Sequence, residues 1–164
     1  MKKAQLSYDV AVAAVVLFAF SILFIIANFT YTSVADKMIN TSVISSSNAT
    51  VTALNDGRVT INRLDYIFFT LFIGMMLTII IASFLIPANS IFSFIYFISL
   101  VVIVATSSIL SYVFEKITAN GYFNSIATVN LPITYNLMTN LPLYVTIVGF
   151  LAMVLLYAKP QNVY

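Results

Sequence analysis

The sequence contains no cysteine, histidine or tryptophan, and only 7% of its 164 residues are charged. Without cysteine the chain forms no disulfide and no thiolate metal site, and cysteine usage says nothing about its redox compartment. Without histidine it lacks the commonest proton shuttle and metal ligand. A net charge of +2 from dispersed basic residues does not indicate nucleic-acid binding. We therefore expect no cofactor, no metal and no nucleic-acid partner.

Apolar residues make up 62% of the chain, and the mean hydropathy is +1.05. Soluble domains carry roughly 25% charged residues, several times the fraction found here. This composition predicts an all-α integral membrane protein whose first partner is the lipid bilayer.

Four apolar stretches are long enough to cross a bilayer, because about 20 helical residues match a hydrocarbon core of about 30 Å. The first, behind Lys2 and Lys3, is longer than a cleavable signal core and is predicted to be an uncleaved signal anchor. Pro87 to Ser90 predict a tight turn that makes the second and third spans an antiparallel hairpin. Residues 1–164 are thus predicted to form a single membrane domain, an antiparallel bundle of four transmembrane helices at about 10–29, 66–86, 91–114 and 141–158.

The orientation follows from the lysines in the two short tails, Lys2, Lys3 and Lys159. An even number of spans places both tails on one side, and short basic segments stay in the cytoplasm. We predict that both termini are cytoplasmic and that loops 30–65 and 115–140 lie on the outer side.

The first outer loop contains two β-prone runs, Thr50–Leu54 and Val59–Asn62, around a turn that includes Gly57. This pattern predicts a small β-hairpin, with an ordinary flexible loop as the alternative. Asn40 and Asn48 each begin an Asn-x-Ser/Thr triplet in this loop and are candidate glycosylation acceptors.

The second outer loop, residues 115–140, is unusually apolar. Such a segment is poorly accommodated in bulk water, which favours a position in the membrane interface or beneath a neighbouring subunit. Packing against the first loop is the alternative.

Small residues recur at helical spacing in two spans. Helices in a membrane associate through close packing, and small residues three or four positions apart provide that surface. We therefore predict two helix-packing ladders. They comprise Thr70, Gly74, Thr78 and Ala82 in the second span, and Thr146, Gly149 and Ala152 in the fourth.

Ionisable residues are absent from the middle of every predicted span, since Asp9, Asp65 and Glu115 lie at span ends where water can solvate them. One polar cluster lies in the third span. Its hydroxyls are expected to make ordinary packing contacts, with a pore lining as the alternative. No catalytic constellation is present, so we expect no enzyme activity. The cluster comprises Thr106, Ser107, Ser108 and Ser111.

In layout, the long first loop, tight inner turn and shorter second loop resemble the claudins and related four-span families. The resemblance covers the layout alone, because those families carry a tryptophan and paired cysteines in the first loop and this chain has neither. It implies no function.

These features predict a non-catalytic structural or accessory subunit of a larger membrane assembly. Two assemblies fit, a membrane-containing virion and a multi-subunit membrane complex, and the partners would be other membrane or coat subunits. The alternatives are a small homo-oligomeric channel or transporter lined by the polar cluster, and an assembly factor that is present only transiently.

Overall fold

The computed structural model describes residues 5–41, 44, 46–85 and 90–157, and within these ranges the secondary structure is entirely helical. The long helices are α1 (Gln5–Ile39), α2 (Asn48–Asn62), α3 (Leu64–Leu85), α4 (Ser90–Thr118) and α7 (Leu141–Tyr157). Between α4 and α7 lie α5 (Gly121–Ser125), a π-helix (Ile126–Asn130) and α6 (Pro132–Thr139).

Three stretches in the described residues are long and apolar enough to cross a membrane: Tyr8–Ile39, Asn48–Leu85 and Phe94–Thr118. A fourth is present if α6 and α7, which meet at a bend of 66°, are taken together as one broken span. The described residues are therefore all helical, and the chain is a multi-pass membrane protein, as its composition predicts. Most of the predicted turn at 87–90, together with Lys2, Lys3 and Lys159, lies outside the described residues.

The four apolar helices pack as a ring in which α1 and α7 each contact both α3 and α4. Aromatic side chains fill the space between them, and Phe68, Tyr96 and Phe114 are buried. The rings of Phe24 and Phe68 join α1 to α3, and those of Phe72 and Tyr144 join α3 to α7. Outward-facing residues on the same helices are mostly large and apolar, as expected for surfaces in contact with lipid.

The predicted β-hairpin is wrong, because both of its runs lie within α2. Helix α2 is separated from α3 only by Arg63 and packs along α1. At that contact Gly57 leaves room for Tyr31, whose hydroxyl donates to the carbonyl oxygen of Leu54 at 3.0 Å. These tertiary contacts outweigh the β propensity of the threonine and valine side chains.

The apolar second loop is covered largely by its own chain. Helix α6 packs on α3 and α4, and the π-helix packs on α1. Ile126, Leu131 and Met138 are buried there, whereas Tyr122 remains 75% exposed. The segment thus packs at the end of the bundle opposite the first turn of α1 and the last turn of α7.

Candidate functional site

Asp65 lies in the first turn of α3, but its side chain caps the N-terminus of another helix, α6. The carboxylate accepts hydrogen bonds from the backbone N–H groups of Ile133 (2.9 Å) and Thr134 (2.7 Å), and from the Thr134 hydroxyl (2.8 Å). The first residue of α6, Pro132, has no N–H, so Asp65 satisfies the next two donors of that helix. The sequence predicted a solvated Asp65, but its side chain is only 3% exposed.

A buried network of asparagines lies close to this cap. The Asn28 amide nitrogen donates to Asn62 Oδ1 at 2.9 Å, and Asn28 Oδ1 accepts from Asn130 Nδ2 at 3.0 Å and from the Thr32 hydroxyl at 3.4 Å. Asn28 is fully buried, and the network joins α1, α2 and the π-helix. Hydrogen bonds made by a buried amide favour one arrangement of the elements that they connect.

Sequence reasoning missed both of these polar contacts. Asp65 and Ile133 are 68 residues apart, and Asn28 and Asn130 are 102 apart, so no local pattern links them. The one available signal was that these polar residues lie at the ends of apolar runs. Polar side chains in such positions are usually predicted to face solvent.

The predicted hydroxyl cluster on α4 does not share one face. Ser107 and Ser111 are buried, while Thr106 and Ser108 are exposed. The Ser111 hydroxyl donates to the carbonyl oxygen of Thr139, in the last turn of α6, at 2.7 Å. The other three donate to carbonyl oxygens in the preceding turn of their own helix.

The second small-residue ladder is divided between two surfaces. Gly149 and Ala152 are buried, whereas Thr146 is exposed and donates to the Pro142 carbonyl. A Cβ atom at Gly149 would overlap the side chain of Leu100, so α4 and α7 approach closely at this point. The Tyr96 hydroxyl donates to the Gly149 carbonyl at 3.3 Å across the same contact.

The first ladder forms one wall of an open groove, and α1 forms the other wall. Thr70, Gly74 and Thr78 are exposed and Ala82 is partly buried, and no atom lies within 4 Å of the position of a Gly74 Cβ. We call this cavity of about 470 Å³ between α1 and α3 the ladder groove. Its lining comprises the four ladder residues with Asp9, Val12, Ala13, Leu71, Met75 and Ile79.

The candidate glycosylation residues lie near the turn between α1 and α2. Asn40 follows the last residue of α1, Asn48 begins α2, and both are exposed. Asn28 also begins an Asn-x-Ser/Thr triplet, but its amide is buried in the network described above. Modification of Asn40 or Asn48 stays a prediction, which a mass shift after glycosidase treatment would check.

The described residues contain no group of three or more acidic, cysteine or histidine side chains arranged to hold a metal ion. Comparison with known proteins finds no matching family, no matching curated protein and no matching solved structure. Functional inference therefore depends on this geometry alone.

Proposed function

We propose that this protein is a non-catalytic structural or accessory subunit of a larger membrane assembly, with other membrane or coat subunits as partners. A membrane-containing virion and a multi-subunit membrane complex are the two assemblies that fit. The observation that carries the proposal is the ladder groove, a surface of small residues at helical spacing that this chain leaves uncovered.

The chemistry of the described spans also favours a structural role. Transport pathways normally retain ionisable side chains at membrane depth, because these are expensive to bury and are kept for function. Here the buried carboxylate of Asp65 has three hydrogen-bond donors of its own chain. Asp65 and the Asn28 network hold the outer segments on the bundle, which suits a rigid building block.

The first experiment is the native mass of the complex after gentle extraction from its source membrane, with every co-purifying chain identified. The proposal expects this chain in a fixed ratio with other subunits. Stoichiometric retention in the finished complex would also exclude a transient assembly factor. Recovery of the chain alone, as a ring of defined size, would favour the channel instead.

The channel alternative has its own measurement. Ion flux in liposomes that is lost on Ser107→Ala and Ser111→Ala would favour it, and silent liposomes at high protein density would count against it. Burial of both serines inside the chain argues against a pore lined by this cluster between copies.

The ladder itself is tested by Gly74→Leu, which fills the groove. A large side chain there holds a facing helix away, so the assembly in detergent should dissociate. Ala105→Leu places the same leucine side chain at an exposed position on α4 and should leave the assembly intact. An unaltered assembly in Gly74→Leu would mean that the ladder faces lipid.

A further inference from the structure

The turn between α4 and α5 carries a reactive pair of residues that the proposed function does not use. Asn120 lies in this turn, and Gly121 begins α5. Of all the asparagines in the sequence, only Asn120 is followed by glycine. Such a pair is prone to deamidation, because glycine has no side chain to hinder attack of its backbone nitrogen on the asparagine amide. In a folded chain, the backbone around the pair decides whether this attack occurs.

The backbone nitrogen of Gly121 is accessible for such an attack. Gly121 is the first residue of α5, so its N–H has no acceptor inside that helix. It makes no other hydrogen bond among the described residues. Asn120 and Gly121 are both exposed, and no atom lies within 4 Å of the position of a Gly121 Cβ. Nothing in the fold therefore shields the nitrogen or the amide that it would attack.

Only the first turn of α5 holds the backbone at Asn120. This residue is extended, with φ −65° and ψ 130°, and ring closure requires a rotation about its Cα–C bond. The rotation breaks the hydrogen bonds that its carbonyl accepts from the N–H groups of Phe123 and Asn124. The side-chain bond from the Tyr122 N–H is long, at 3.4 Å. Because α5 has five residues and none is buried, its first turn can open without exposing the core.

Asp56 and Gly57 form an internal control for this geometry. An aspartate followed by glycine can close the same ring with loss of water. This pair lies in the middle of α2, where each N–H is bonded to the carbonyl four residues earlier. Tyr31 also packs directly against Gly57. Rotation of the Asp56 backbone would thus break α2 and its contact with α1, so this pair should react far more slowly than Asn120.

We propose that Asn120–Gly121 is a modification site at which this chain deamidates without an enzyme, selected by the exposed turn. The Gly121 nitrogen attacks Cγ of Asn120, so that an N–Cγ bond forms and the Cγ–Nδ2 bond breaks. Ammonia leaves with the proton of the Gly121 N–H. Two groups held in one chain favour closure of the five-membered succinimide ring. Water then opens the ring at Cγ to give aspartate, or at the main-chain carbonyl to give isoaspartate.

The two products alter the turn in different ways. Aspartate caps a helix as well as asparagine does, so this product keeps the start of α5 and lowers the net charge of +2 by one. Isoaspartate routes the backbone through the former side chain and adds one carbon between α4 and α5. The π-helix and α6 follow this connection, so modified copies carry an altered link to the segment packed on α1, α3 and α4.

Incubation of the purified full chain in mild detergent at weakly alkaline pH tests the site. The peptide that contains Asn120 should gain the mass difference between an NH2 and an OH group. Part of the product should accept a methyl group from an L-isoaspartyl methyltransferase. Gly121→Ala places its methyl group in open space and keeps the fold, but should deamidate about tenfold more slowly, a rise of about 1.4 kcal/mol in the barrier. Asn120→Asp supplies the reference for the aspartate product.

The same chain unfolded in a denaturing detergent shows how fast the pair reacts without the fold. The proposal is overturned if Asn120 stays unmodified in the folded chain while it deamidates in the unfolded one. Equal rates in the folded wild type and in folded Gly121→Ala would also overturn it. Isomerisation of Asp56 in the folded chain as fast as deamidation of Asn120 would do the same, because the exposed turn would then not select the site.

Discussion

Asp65 belongs to the first turn of α3, yet its carboxylate caps α6. An anion at a helix N-terminus is stabilised by the helix dipole as well as by the N–H groups that point at it. The sequence places Asp65 beside an apolar run but contains no local sign of its partner. Contacts of this kind cannot be read from periodicity, because they depend on how distant segments meet.

Removing the Asp65 side chain should destabilise the bundle. Asp65→Ala leaves the N–H groups of Ile133 and Thr134 buried without a partner, and the expected loss in free energy of unfolding is about 3 kcal/mol. Asp65→Asn keeps one acceptor oxygen and should lose less free energy of unfolding than Asp65→Ala. Thermal unfolding in detergent, followed by circular dichroism, measures both. Asp56→Asn on the exposed side of α2 is the control and should have little effect.

A larger side chain at Gly149 should force Leu100 to move and should destabilise the bundle. Gly149→Val overlaps Leu100 across the α4–α7 contact and should reduce the free energy of unfolding by about 1–3 kcal/mol. Leu100→Ala in the same chain should restore part of that loss, which a double-mutant cycle measures directly. Additive losses in the double variant would contradict the contact.

At the scale of secondary structure, the apolar helices were predictable and the long segments that connect them were not. In lipid, a long apolar run such as Tyr66 to Leu85 can pair its backbone N–H and C=O groups only as a helix. Its composition therefore decides its secondary structure. In α2 the propensities of single residues favour strand or turn, and tertiary packing decides instead. The ladder residues were identifiable from their spacing, but the groove that they line depends on the position of α1.

The packing of α2 against α1 should depend on the small size of Gly57. Gly57→Val forces the Tyr31 ring away, which removes the hydrogen bond to Leu54 and separates α2 from α1, at about 1–3 kcal/mol. The same change at Gly121, where a side chain would meet open space, should be nearly neutral. Amide hydrogens of Asn48–Asn62 should exchange faster in Gly57→Val than in Gly121→Val. Equal protection in the two variants would contradict this prediction.

At the scale of the whole molecule, the side of the membrane on which residues 115–140 lie is a prediction from the sequence that labelling can test. We expect Asn124→Cys, exposed on α5, to react with a membrane-impermeant maleimide on intact cells. Lys159→Cys should react only after permeabilisation, because the basic tails are predicted to be cytoplasmic. The opposite pattern would invert the topology and place both sequence-predicted loops inside.

Helix α1 continues without a break past the end of its apolar run. Its 35 residues form a rod of about 52 Å, of which the ten after Phe29 stand about 15 Å beyond the apolar run. Helix α2 runs beside that projection, and the Arg58–Asp36 ion pair joins the two. If α1 pivoted by roughly 10° about its first turn, its last turn would move by about 9 Å. Because α2 packs along this projection, the two helices would move together in such a tilt.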